Sequence, residues 1–134
     1  MLQALKEGDR LKQTGNFDAA AASYQKALNL EPENVVVLDK IAEIYYFQGK
    51  LTEAIALCHQ AIRRQPYFAR AYKTLGNALQ AQNKLQAATR AYSLAVQIDP
   101  NFAEAHVNLA SIFYKQVLIY TAMLQYRKAI ELQP

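Results

Sequence analysis

The sequence predicts an all-α fold, a stack of four helical hairpins of one repeated design. Three observations predict it. Proline recurs at Pro32, Pro66, Pro100 and Pro134, a fixed period of 34 residues over the 134-residue chain. Small residues recur with the same period, as Ala20, Ala54, Ala88 and Ala122 and again as Ala27, Ala61, Ala95 and Ala129. Between these prolines, apolar residues step by three and four, the spacing of one helix face. A unit of this length cannot bury both its faces alone, so copies must cover one another.

Each unit reads as helix, turn, helix. The first helix is marked by Ile41, Ala42, Ile44 and Tyr45 in the second unit, and by the columns Gly8/Ala42/Gly76/Ala110 and Leu11/Tyr45/Leu79/Phe113 across all units. The turn follows at Gly15, Gly49 and Asn83, residue types that accept a left-handed backbone and end a helix. Asp18 and Thr52 stand where the next helix needs a cap or an early acidic or hydroxyl group. The second helix carries Phe17, Ala20, Tyr24, Ala27 and Leu28 on one face, with Cys58, Tyr92 and Tyr126 in the column of Tyr24. The proline then closes the unit, because it cannot continue a helix. The paired alanines let the two helices approach closely. The units are 1–34, 35–68, 69–102 and 103–134, forming one domain.

The order Gly8, Leu11, Gly15, Ala20, Tyr24, Ala27, Pro32 resembles the tetratricopeptide repeat. The third unit matches best, with Leu75, Gly76, Leu79, Ala88, Tyr92, Ala95 and Pro100. The family's tryptophan is replaced by Ala4, Leu38, Tyr72 and His106. The resemblance implies a right-handed superhelix whose concave groove is lined by the first helix of every unit. It places Asp39, Glu43, Tyr46 and Phe47 in the groove from the second unit, and Arg70, Lys73 and Asn77 from the third. Lys12 contributes from the first unit, and Glu104, Val107 and Asn108 from the fourth. Such a strip suits a peptide with both charge signs and an apolar anchor near Tyr46 and Phe47. Some members of the family clamp a C-terminal carboxylate with a lysine, an asparagine one turn on, and an asparagine from the next unit. Lys73, Asn77 and Asn108 fit that part of the pattern; a further basic pair would come from a fifth unit.

Composition narrows the function. Net charge is +4 at pH 7. It is uneven, from −1 in the first unit to +3 in the third. Nucleic-acid binding would want exposed aromatics among the basic residues on one surface, whereas most of the tyrosines fall in packing columns. No uninterrupted run reaches the ~18 apolar residues of a membrane span, and Lys6, Glu7, Asp9 and Arg10 interrupt any leader. Cys58 is the single cysteine, in a core column, which precludes an intramolecular disulfide and fits a cytoplasmic setting. His59 and His106 lack partners at metal-ligand spacing. His106, in a packing column, reads as a partly buried structural side chain. No phosphate loop or nucleophile motif occurs. The expectation is a non-enzyme without cofactor or metal, working on a protein or peptide.

The fourth unit breaks the pattern. Its turn reads Val117, Leu118, Ile119, Tyr120, where other units have Gly15-Asn16, Gly49-Lys50 or Asn83-Lys84. A left-handed valine costs roughly 1–2 kcal/mol, and four apolar residues at a corner are an exposure liability. Two outcomes are open: a hairpin with an odd turn, or one continuous helix of about 30 residues and ~45 Å. In the second, His106, Ala110, Phe113, Val117, Tyr120 and Leu124 form a seam. Residues 120–132 then lose their own first helix and can cover that of another copy, a swapped homodimer. Met123, Tyr126 and Ile130 are left bare at this end. The two functional expectations are therefore a peptide-binding scaffold and a self-assembling module.

Overall fold

A computed structural model of the chain describes residues 1–132. It has seven helices among these residues: α1 (Leu2–Gln13), α2 (Phe17–Leu30), α3 (Val35–Phe47), α4 (Leu51–Arg64), α5 (Ala69–Ala81), α6 (Leu85–Ile98) and α7 (Ala103–Leu132). They form three hairpins followed by one long helix. Pro134, the fourth periodic proline, lies outside the described residues. The other three follow their helices by two residues, in the turns after C-caps Glu31, Gln65 and Asp99.

The turns form where expected. Gly15, Gly49 and Asn83 take φ values of +80°, +77° and +63°, the left-handed region that releases the chain from one helix into the next. Of the two roles open to Asp18 and Thr52, cap or early first-turn group, both take the second. Asn16, not Asp18, caps α2, accepting from the Ala19 amide at 3.4 Å, and α4 begins at Lys50 without a side-chain cap. Asp18 and Thr52 lie inside their helices' first turns. Between the first and second units, Asn34 accepts from both the Val36 and Val37 amides and starts α3.

The first helices α3 and α5 each pack between their own second helix and the one preceding. Ala20, Tyr24 and Ala27 of α2 bury against Val37, Ile41 and Ile44 of α3. Ala42, Cys58, Leu75 and Ala91 join α3 to α6. Ala88 and Tyr92 meet Ile112 of α7. Within a hairpin the closest approach obeys a size rule. A Cβ on Gly76 would fall 2.5 Å from Tyr92 Cε1, and Gly8 stands in the same relation to Tyr24. In the second unit Ala42 faces the smaller Cys58. Tyrosine thus demands glycine opposite it.

The fourth unit is one continuous α-helix of 30 residues, not a fourth hairpin. Two local features explain this. Val117 replaces the left-handed residue, and a hairpin would set Ala110 against Tyr126, the combination the size rule forbids. Hydrogen bonding then continues through Val117–Tyr120, at lower cost than a strained turn. α7 lies along α6 until Ile119, which reaches the α5–α6 turn. Every residue from 117 to 132 is exposed. His106 is exposed too, against expectation, and its Nε2 lies 2.8 Å from the Pro100 carbonyl oxygen. It repeats in kind what Tyr72 does when its hydroxyl donates to the Pro66 carbonyl.

Candidate functional site

Helices α1, α3, α5 and α7 lie side by side and supply one continuous face. A diagonal of alternating charge crosses it. Lys12 of α1 donates to Glu43 of α3; Lys73 of α5 donates to the other Glu43 oxygen at 3.3 Å; the same ammonium reaches Glu104 of α7 at 3.1 Å. The four side chains are 31, 30 and 31 residues apart. Each step therefore climbs one unit and drops back about one helical turn, the offset that tilted, stacked hairpins create.

Burial makes this ladder consequential. Lys73 is only 4% exposed. Burial alone pulls its pKa down, yet the carboxylates of Glu43 and Glu104 outweigh that and hold it above the usual lysine value. Burial alone pushes Glu43 up, and the Lys12 and Lys73 ammoniums overcome it, leaving the carboxyl below its ordinary range. Both groups stay charged at neutral pH. Asp39, one turn before Glu43, is a separate case. It is buried, accepts from the Thr74 hydroxyl at 2.6 Å, and sits 3.7 Å from Arg70 Nε. Burial raises its pKa, with Thr74 pulling the other way.

Next to the ladder a cavity of about 480 Å³ opens. Its walls are Tyr46 and Phe47 of α3, Lys73 and Asn77 of α5, and Glu104, Val107 and Asn108 of α7, with Glu43 beneath. Phe47 is held in place yet remains available. Phe17 stacks on it at 5.3 Å, Lys12 stands 6.0 Å above its ring, and 48% of it is exposed. On the far wall, Asn108 Nδ2 donates to Asn77 Oδ1 at 3.0 Å, and the buried Tyr92 hydroxyl donates to the same oxygen. Asn77 is therefore oriented by its neighbours, with its amide nitrogen left for a ligand.

Six of the eight groove residues expected from sequence line this cavity: Glu43, Tyr46, Phe47, Lys73, Asn77 and Asn108. Asp39 and Arg70 do not. Asp39 is closed off beneath Thr74, and Arg70, half exposed, leans towards it. Sequence reasoning placed Lys12, Glu104 and Val107 on this face without singling them out. The alternation of sign at offsets of 31, 30 and 31 was the available signal for Lys12 and Glu104. The geometry also bears on carboxylate binding. Lys73, the one cation of that partial pattern, already neutralises two carboxylates within 3.3 Å, so an incoming carboxylate would meet like charge as well as the ammonium.

Comparison with known proteins agrees with the repeat geometry. A "Tetratricopeptide repeat" family model matches residues 11–78, and a "TPR repeat" model matches residues 76–117. The TPR repeat-containing thioredoxin TTL4 of Arabidopsis thaliana is 35% identical over 72 residues, covering 54% of the chain. The chain spans only 11% of that protein's length. Among solved structures, the first TPR of Spaghetti (RPAP3) bound to the HSP90 peptide SRMEEVD is 27% identical with a TM-score of 0.77, over 87% of this chain and 92% of that one. The first TPR domain of human RPAP3 is 28% identical with a TM-score of 0.80, over 89% and 92%. With the 34-residue columns, the hairpin stack and these matches in agreement, the chain belongs to the tetratricopeptide repeat family.

Proposed function

We propose that the chain is a non-catalytic protein-interaction scaffold whose groove takes an extended peptide segment by an apolar anchor. One observation carries this: beside a groove floor whose charges are already paired, Phe47 and Val107 remain exposed across a cavity of about 480 Å³, room for a large peptide side chain and its backbone. A peptide aromatic or branched side chain would fill that space between Phe47 and Val107, displacing water from apolar surface. Asn77 and Asn108 would hydrogen-bond the peptide backbone alongside. The similar domain that holds the HSP90 peptide SRMEEVD supports a peptide as ligand. The paired state of Lys73 favours an internal segment over a terminal carboxylate.

The test is selection from a displayed random-peptide library, followed by calorimetric titration of the selected peptide as free acid and as C-terminal amide. Both forms are expected to bind within twofold of each other. Phe47→Ala should weaken binding roughly tenfold, the ~1–2 kcal/mol of an aromatic anchor. Selection of nothing, binding of the acid alone, or indifference to Phe47 would overturn the reading.

A second role is favoured by a different observation, the exposure of every residue from 117 to 132 in an apolar helix. That role is self-association through α7.

A further inference from the structure

Resting on that second reading, we infer that α7 pairs antiparallel with α7 of a second copy, in a register that sets Phe113 against Leu124 and Val117 against Tyr120. The partner's residues 120–132 then lie over residues 105–117, so each copy supplies the covering helix the other lacks.

The argument starts from which faces of α7 are free. One stripe begins at Ala105 and Ile112, both fully buried. That stripe continues outward as Ile119, Met123, Tyr126 and Ile130. A neighbour could reach only its outer part, because α6 occupies the rest. The second stripe runs through Ala110, Phe113, Val117, Tyr120 and Leu124, and every one of these is exposed. It is open along the whole helix. Its steps of three and four define a packing seam.

This stripe is complementary to itself when reversed. About the two-fold centre between Leu118 and Ile119, apolar residues meet apolar residues through Phe113–Leu124 and Val117–Tyr120. Further out, Ala110 meets Arg127, a small side chain against a long stem. At the ends, His106 meets Glu131. The interface is thus apolar in the middle and polar at its rim, as specific interfaces are. Eight side chains from each copy bury roughly 1,200 Å² in total, at the threshold for a stable association.

The exchange does not reuse the repeat's own packing. Tyr126 matches Tyr92 by column, but in a continuous helix it points about 140° away from Phe113. Tyr120 and Leu124 take that place. A second copy is also the better occupant than a lipid surface. By length and composition α7 can cross a membrane, with an 18-residue window of mean hydropathy 1.2. Its first half, however, is packed on α6 through Ala105 and Ile112. The exposed part beyond Val117 carries Arg127, Lys128 and Glu131, charges that a hydrocarbon core penalises.

Light scattering over a concentration series measures the mass, and oxidative cross-linking measures the register. Phe113→Cys with Leu124→Cys is expected to give a covalent dimer under mild oxidation, Cys58 being fully buried. Val117→Glu with Tyr120→Glu, at exposed positions, should raise the dimer dissociation constant at least 100-fold with helicity unchanged. A dimer that cross-links through Met123→Cys with Tyr126→Cys instead would overturn this register and leave self-association standing. A monomer at every concentration would overturn both. So would a monomer that cofloats with vesicles of phosphatidylcholine and phosphatidylglycerol.

Discussion

Gly76→Ala tests the size rule that shapes every hairpin. The added Cβ would lie 2.5, 2.6 and 2.8 Å from Cε1, Cδ1 and Cζ of Tyr92. Tyr92 cannot yield easily: its ring is fully buried and its hydroxyl is bonded to Asn77 and, at 3.3 Å, to Gln80. Overpacking of this kind costs ~1–3 kcal/mol. Alanine's better helix propensity returns up to ~1 kcal/mol. The expected net loss is therefore about 1–2 kcal/mol in urea unfolding, with the urea slope unchanged. Tyr92→Cys alone should cost more, ~3–4 kcal/mol, by emptying a ring-sized space. The double substitution recreates the Ala42–Cys58 pair of the second unit. It should recover about 1–2 kcal/mol relative to the sum of the singles, a coupling that a double-mutant cycle measures directly. Additive losses, or a Gly76→Ala protein more stable than the parent, would refute the rule and the account of α7 built on it.

Other expectations follow from the same geometry. Lys73→Met removes one cation from Glu43 but leaves Lys12, so stability should fall by ~2–3 kcal/mol, less than the ~3–5 of a fully orphaned buried charge. The pH profile of unfolding carries the sign. Glu43, with its folded pKa lowered, stabilises above its unfolded value of 4.5 and loses that stability as pH falls through the lower folded value. Lys73, with its folded pKa raised above 10.5, stabilises below that value and loses it as pH rises through the higher folded value. Lys73→Met should flatten the profile at both ends; an unchanged profile would remove the ladder from the energetics. Val117→Gly with Ala110→Gly supplies both missing requirements of a fourth hairpin. The protein should then run as a monomer at all concentrations with its helix content nearly kept, whereas Val117→Gly alone should close the hairpin only in part. A double variant that still dimerises would show that the turn and the Ala110–Tyr126 conflict do not set the state of α7.

How much of this was legible in the sequence depends on whether the relevant contact lies within one unit or between units. Gly15, Gly49 and Asn83 announced their turns because a left-handed backbone is a local demand, met by residue type alone. Tyr24, Ala27, Tyr92 and Ala95 announced the core because burial repeats with the period. The ladder through Lys12, Glu43, Lys73 and Glu104 was not announced, because its step depends on how far one hairpin is displaced against the next. A column alignment at 34 residues hides contacts made at 30 and 31. The same limit separated Asp39 from Glu43. Both are acidic residues of one helix face, yet the displacement puts Thr74 over the first and Lys73 against the second, so one is sealed and the other lines the cavity. For α7, sequence left hairpin and continuous helix in balance because Val117 argues only about the cost of a turn. What tips the balance is a pair, Ala110 against Tyr126, whose meaning exists only once Gly76 is seen touching Tyr92. In such an array, the periodic residues define the stack, and departures from the period mark where the stack stops covering itself.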